Sequence, residues 1–196
     1  REQLFETLSY LLHYPDPTPE DEKIDTAGMK TKSPDSDDYL ISDPFSMAIN
    51  TVRGRAFQAF VLFVYKDGKK FGKEDAAKIS PDVKELYQSV LEKENTRALM
   101  FMFGHYLPSF YFRDKEWIRG LLPQIFPANE ENKRLYTAAW EGYVSANLYE
   151  EIFFNPDIQK LYERGLALTD ADFPKQKHFK DPDEGVAVHF ALAFIH

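Results

Sequence analysis

The residues of this chain that could do acid–base or metal chemistry are few and lie far apart in the sequence. None of its five histidines has the spacing of a metal-binding motif such as His-Glu-x-x-His. His105 lies in an apolar, helix-like stretch, which is typical of a hydrogen-bonded core histidine. His178, Asp181, Asp183 and His189 could converge on a metal ion, but charged loop residues are the simpler interpretation. We therefore predict no metal site and no cofactor.

A nucleophilic or phosphate-binding site is not indicated either. The chain has no Cys and no Gly-x-Ser-x-Gly elbow. The stretch at residues 68–74 (GKKFGKE) has one residue too few between its glycines for a phosphate-binding loop, and Glu where Ser or Thr should meet magnesium. Glu150 and Glu151 are adjacent on a helix, so their side chains should point apart. We predict no catalytic residue and interpret the chain as not an enzyme.

One polar group lies within an otherwise apolar helical pattern. Asn50, Arg53 and Gly54 are spaced i, i+3 and i+4, and a glycine inside a helix costs about 1 kcal/mol relative to Ala. In the structural interpretation, Gly54 permits a close helix crossing, and Asn50 and Arg53 bond loop carbonyls or an acid. In the functional interpretation, Arg53 binds the carboxylate or phosphate of a partner.

Three consecutive aromatic residues are the best candidates for binding. Phe110, Tyr111 and Phe112 cannot all face one core if they lie on a regular element. An exposed aromatic cluster suits a protein partner, because aromatic residues are enriched at binding hot spots. The alternative is that another part of a longer chain covers them.

The element expected to organise the chain is a helix over residues 43–65. Asp43 is a suitable N-cap and Pro44 fits the first helical turn. Because residues 59–65 are apolar all round, we expect that end to be wrapped by other elements.

The remaining periodicity predicts further helices and no strand. Helices 81–91 and 96–107 should pack as an antiparallel hairpin. Small residues in the helix that begins at 129 should let another helix approach closely. That helix contains Trp140 and Gly142, and the one before it contains Trp117 and an internal Pro123. Further helices are predicted over residues 3–13, 114–125, 129 to 149 or 153, 156–165 and 184–196.

About eight helices with short turns indicate an all-α fold. We predict irregular antiparallel helix pairs in a solenoid-like, helical-repeat stack, with a closed helical bundle as the alternative. We divide the chain into a leading helix (1–13), an acidic Pro/Asp/Ser-rich connection with little to bury (14–42) and a helical domain (43–196). Because the last residues are strongly apolar, we expect this domain to continue beyond residue 196 as part of a longer polypeptide.

Charge and composition limit the classes of partner that the chain is expected to bind. The net charge is −8, and residues 16–43 carry nine acidic residues against three Lys. No basic stripe exists, so nucleic-acid binding is unlikely. No apolar run reaches about 18 residues, which predicts no membrane contact and a cytoplasmic location.

Residues 43–56 (DPFSMAINTVRGRA) resemble a segment that recurs in bacterial anti-phage defence proteins. Residues 117–127 (WIRGLLPQIFP), followed by 138–143 (AAWEGY), are similar to a second. Both resemble the helical C-terminal regions of large STAND-type NTPases, and related helical tails occur on sirtuin-domain defence proteins.

The resemblance implies a sensor or scaffold segment that lacks catalytic residues. Its expected partners are a protein ligand encoded by a phage and other domains of the same parent chain. The alternative is a regulatory or cap domain of an enzyme whose catalytic domain lies outside this segment.

Overall fold

A computed structural model describes residues 1–22, 43–67, 79–169, 172–173 and 181–195. These residues form helices and connecting turns, with no strand among them, which confirms the all-α prediction. The predicted connection beyond residue 22 and the glycine-containing stretch at 68–74 lie outside the described residues. The helices are α1 (Glu2–Leu12), α2 (Pro44–Asn50), α3 (Val52–Asp67), α4 (Pro81–Glu92), α5 (Arg97–His105), α6 (Leu107–Arg113), α7 (Lys115–Ile125), a 3₁₀ turn (Glu130–Asn132), α8 (Lys133–Ser145), α9 (Glu150–Phe153), α10 (Pro156–Gly165) and α11 (Pro182–Ile195).

The predicted single helix over residues 43–65 is wrong, because Thr51 divides it into α2 and α3. Thr51 is extended, with φ −108° and ψ 158°. The start of α3 is capped from a distant part of the chain. Asp16 Oδ2 accepts from the Val52 N–H at 2.8 Å, and the Asp16 carbonyl accepts from the Arg53 N–H at 2.9 Å. The apolar end of α3 is also less covered than predicted, since Leu62 is 63% exposed.

The most enclosed helix is α5. Every residue from Arg97 to Gly104 is buried. Its principal neighbours are α8 and α2, with α3, α6 and α7 making smaller contacts. The organising element is therefore α5, since other helices surround its apolar residues on all sides.

The contact between α5 and α8 depends on glycine. A Cβ built on Gly104 would overlap the Ala139 carbonyl, and one built on Gly142 would overlap the Phe101 carbonyl oxygen. The two backbones therefore touch without side chains between them, which confirms that the small residues of α8 admit a close neighbour.

The neighbours of α4 and α8 differ from the sequence prediction. No close hairpin joins α4 to α5 within the described residues; instead α4 reaches α5 through large side chains, with the Tyr87 and Phe103 rings 4.9 Å apart. The helix expected to run from 129 to 149 or 153 consists of a 3₁₀ turn and α8, and it ends at Ser145. Ala146 is extended and turns the chain towards α9.

The helix predicted at residues 184–196 is confirmed as α11. It places Gly185, Val186 and His189 against the body of the protein. Its other side exposes apolar residues: Val188, Phe190, Leu192, Phe194 and Ile195.

Candidate functional site

The three consecutive aromatic residues lie on α6 and have different environments. Successive helical residues are rotated by about 100°, so they cannot share one face. Phe110 is buried against Tyr87, with ring centroids 4.8 Å apart. Tyr111 is buried as well, whereas Phe112 is 64% exposed. An exposed cluster of all three is therefore not formed, and Phe112 alone keeps a largely solvent-facing ring.

Tyr111 and Phe112 line a cavity of about 240 Å³ that we call the α6–α9 groove. Its remaining lining residues come from α9 and the residue before it: Tyr149, Glu150, Glu151 and Ile152. Tyr149 is exposed like Phe112, while Ile152 is buried and closes the floor. The groove thus combines aromatic rings with two carboxylates.

The two walls of the α6–α9 groove are held by buried contacts. The Asn155 Nδ2 donates to Tyr111 Oη at 3.0 Å, which ties α6 to the start of α10. Phe153 anchors α9, since its ring lies 5.2 Å from the Tyr162 ring and 5.5 Å from the Phe190 ring. The exposed rings therefore lie on a packed support, so their positions cost little conformational entropy on binding.

The charge of the α6–α9 groove is negative. The Lys115 ammonium donates to the Glu151 carboxylate across the groove, and this hydrogen bond raises the pKa of Lys115. The Glu150 carboxylate has no hydrogen-bond or ion-pair partner in the described part of the chain. No Lys or Arg is among the lining residues. A cationic or hydrogen-bond-donating group would be complementary to this surface.

Arg53 lies in an interior polar cluster and not on an open surface. Its Nε donates to the Leu12 carbonyl at 3.0 Å, and its Nη1 donates to the Pro17 carbonyl at 3.4 Å. Its Nη2 is bonded to the fully buried Glu94 carboxylate. Glu94 in turn accepts from the Thr96 N–H at 2.7 Å at the start of α5. These contacts to the carbonyl at the end of α1, to a loop carbonyl and to an acid are of the kind that the structural interpretation of Arg53 describes.

Asn50 and Gly54 lie on either side of the Thr51 corner. A Cβ on Gly54 would overlap the Ala48 carbonyl, so Gly54 permits the close crossing of α2 and α3. Asn50 is exposed, and its Nδ2 donates to the Ser46 carbonyl at 2.9 Å within α2. It also lines an open cavity of about 540 Å³ between α1 and this corner. The polar side chain of Asp16 in that cavity is already committed to the Val52 N–H.

The first part of the predicted acidic connection packs on the body of the protein. Glu22 is buried and accepts from the Arg97 N–H at the start of α5. Arg134 donates to the other oxygen of Glu22 at 2.7 Å and to the Asn95 carbonyl at 2.7 Å. Residues 16–22 have few apolar side chains to bury, but the Glu22 carboxylate satisfies N–H groups at the start of α5, which the sequence argument did not anticipate.

The other residues singled out in the sequence have packing roles. Trp117 lies beside Tyr87, with ring centroids 5.1 Å apart. Pro123 lies on the exposed side of the last turns of α7, where its missing N–H is least costly. Trp140 is buried, and a Cβ on Gly165 would overlap its indole.

His105 and His189 are both engaged in hydrogen bonds. His105 Nδ1 lies 2.9 Å from Ser145 Oγ, and burial lowers the pKa of His105. His189 is buried, with Nδ1 2.6 Å from Tyr162 Oη and Nε2 2.9 Å from the Ala146 carbonyl. Burial lowers its pKa as well. His178 lies outside the described residues, and within the described ranges no three metal-ligating side chains converge.

The α9 wall of the groove was missed from the sequence. The sequence pattern predicts one continuous helix to residue 149 or 153. On such a helix the side chains of Glu150 and Glu151 would point in different directions and would not form one wall. Two signals mark the break: Asn147 soon after the end of α8, and the paired acids, which favour the positive end of a new helix.

Comparison with protein-family models, curated proteins and solved structures gives no match to this chain. Among the described residues, no helix is both long and apolar enough to span a bilayer.

Proposed function

We propose that this chain is a non-catalytic recognition and scaffold segment of a larger bacterial anti-phage defence protein, and that it binds a protein ligand encoded by a phage. The observation that carries the recognition role is the α6–α9 groove, where Phe112 and Tyr149 are exposed on an otherwise buried aromatic support. Aromatic residues held rigidly at a surface are typical of protein-binding hot spots. The defence context rests on the resemblance of residues 43–56, 117–127 and 138–143.

We also propose a solenoid-like stack of helix pairs and a cytoplasmic location. Contacts at both ends of α5 and α8 support the stack. Arg134 at the start of α8 bonds Asn95 before α5, and Ser145 at the end of α8 bonds His105 at the end of α5. The two helices therefore run in the same direction, as equivalent helices of neighbouring repeats do.

The proposal is tested by capture from bacteria undergoing phage infection. The natural protein that contains this chain is used as bait, with a matched bait that lacks the chain. A phage-encoded protein that is retained only by the intact bait supports recognition by this segment. Equal retention by both baits would contradict it, and retention of domains of the parent protein alone would favour the regulatory or cap function.

A further inference from the structure

The α6–α9 groove has the features of a site for one cationic side chain, and we propose that it receives an arginine of the protein partner. This inference rests on the proposed function and specifies the ligand chemistry of that same groove. The guanidinium would lie against the exposed rings of Phe112 and Tyr149 and donate to the Glu150 carboxylate.

The size of the groove favours a single side chain. Its volume is about 240 Å³. Pockets for drug-sized ligands begin at roughly 300 Å³. Its floor of Tyr111 and Ile152 is buried and fixed, so a side chain can enter between the outer residues but a larger ligand cannot sink below them.

The charge of the groove favours a cation. Glu150 and Glu151 both line it, and the Lys115 ammonium is bonded to Glu151. The carboxylate of Glu150 is thereby left as the acceptor for an incoming donor. A partner carboxylate or phosphate would meet the negative charge of Glu150 here, so the groove discriminates against acidic ligands.

Arginine lies over a tyrosine ring at two places in the described part of the chain. The Arg113 guanidinium carbon lies 3.7 Å from the centroid of the Tyr65 ring, and that of Arg164 lies 3.7 Å from the Tyr136 ring. Arginine suits this arrangement better than lysine, because its planar guanidinium stacks on a ring while its N–H groups still donate to a carboxylate. The groove offers the same pair of features, ring and acceptor, without an arginine of its own.

The test is a titration of the isotope-labelled 196-residue chain, followed by NMR at residues 149–152 and Phe112. The probes are two blocked tripeptides, Gly-Arg-Gly and the same peptide with neutral, isosteric citrulline in place of Arg. We expect saturable shifts with the arginine peptide and about fivefold to tenfold weaker binding of the citrulline peptide, because a cation–π contact and a charged hydrogen bond are lost. Raised ionic strength should weaken the binding of the arginine peptide but not that of the citrulline peptide.

Charge variants sharpen the assignment. Glu150→Gln should weaken the binding of the arginine peptide about fivefold. The control is Glu163→Gln, on the exposed side of α10, which removes the same charge and should leave the binding unchanged. Lys115→Gln should strengthen the binding of the arginine peptide about threefold, since Glu151 is then released from its ammonium partner.

Three results would overturn the arginine site: no saturable shift at the groove, equal affinity for arginine and citrulline, or a lysine peptide that binds better than the arginine peptide. Failure of the whole proposed function is distinguishable from these results. In that case Phe112→Ala would leave the capture of the phage-encoded partner unchanged, whatever the peptides do.

Discussion

The α5–α8 crossing and the α6–α9 groove differ in the residue types that form them and in how far those residues are exposed. At the crossing, Gly104 and Gly142 bring two backbones into contact, and the residues around them are buried. At the groove, Phe112 and Tyr149 are exposed beside two carboxylates. The comparison indicates that the first region determines whether the chain folds, and that the second can be altered with little loss of stability.

The largest effect is expected where the backbones touch. Gly142→Ala places a methyl group into the Phe101 carbonyl oxygen, so α5 and α8 must separate. We expect a loss of about 3 kcal/mol or more in the free energy of unfolding, or no folded protein. Urea unfolding followed by circular dichroism measures it.

Gly120→Ala is the matched control for that substitution. Gly120 lies in α7, and a Cβ there meets no atom within 4 Å. Alanine is the better helix former, so this change should raise stability by up to about 1 kcal/mol. Equal losses at the two glycines would show that the crossing is not specifically tight.

The second effect concerns the interior cluster around Arg53. Arg53→Ala removes the guanidinium that is bonded to the buried Glu94 carboxylate and to the Leu12 carbonyl. We expect a loss of about 3 kcal/mol, the lower end for a broken buried ion pair. The control is Arg55→Ala. The Arg55 side chain is exposed and, within the described residues, is bonded only to Gln58, so its loss should lower the free energy of unfolding by less than about 0.5 kcal/mol. Normal stability of Arg53→Ala with lost partner binding would instead assign Arg53 to recognition.

A smaller effect is expected from pH, through the buried histidines. Burial lowers the pKa of His189 and His105 in the folded chain, whereas an unfolded histidine has a pKa of about 6.5. As the pH falls below about 6.5, the unfolded state therefore binds protons first and stability decreases, by at most about 1.4 kcal/mol per pH unit for each histidine. Above that pH both states are neutral and this contribution is constant.

Urea unfolding between about pH 7.5 and pH 5.5 measures this slope. His189→Gln should reduce it, since one buried imidazole is removed. An unaltered slope in His189→Gln would show that α11 separates from the body before His189 titrates.

The fold was largely predictable where its causes are local. Asp43 caps α2 through the Phe45 N–H at 2.8 Å, as its position before a helical pattern indicated, and Asp114 caps α7 through the Trp117 N–H at 3.1 Å. The break at Thr51 was not predictable, because the groups that cap α3 come from Asp16, 36 residues earlier in the chain. Long-range polar contacts of this kind leave no periodic signal.

The candidate site was predictable only in part for a similar reason. Three adjacent aromatics indicate that at least one is exposed, but not that Phe112 is the one. Which side of α6 is covered depends on Tyr87 and Asn155, which approach from distant elements. To predict the acidic wall, one would have had to predict that α8 ends at Ser145. The pattern of small residues continues past that boundary and gave no sign of it.

The most direct measurement compares Phe112→Ala with Leu62→Ala for both stability and capture of the phage-encoded partner. The two side chains are almost equally exposed, at 64% and 63%, but only Phe112 lines the α6–α9 groove. We predict that both variants unfold within about 0.5 kcal/mol of the unmodified chain, and that only Phe112→Ala loses the partner. Capture that survives in Phe112→Ala, or is lost equally in both variants, would contradict recognition through the groove.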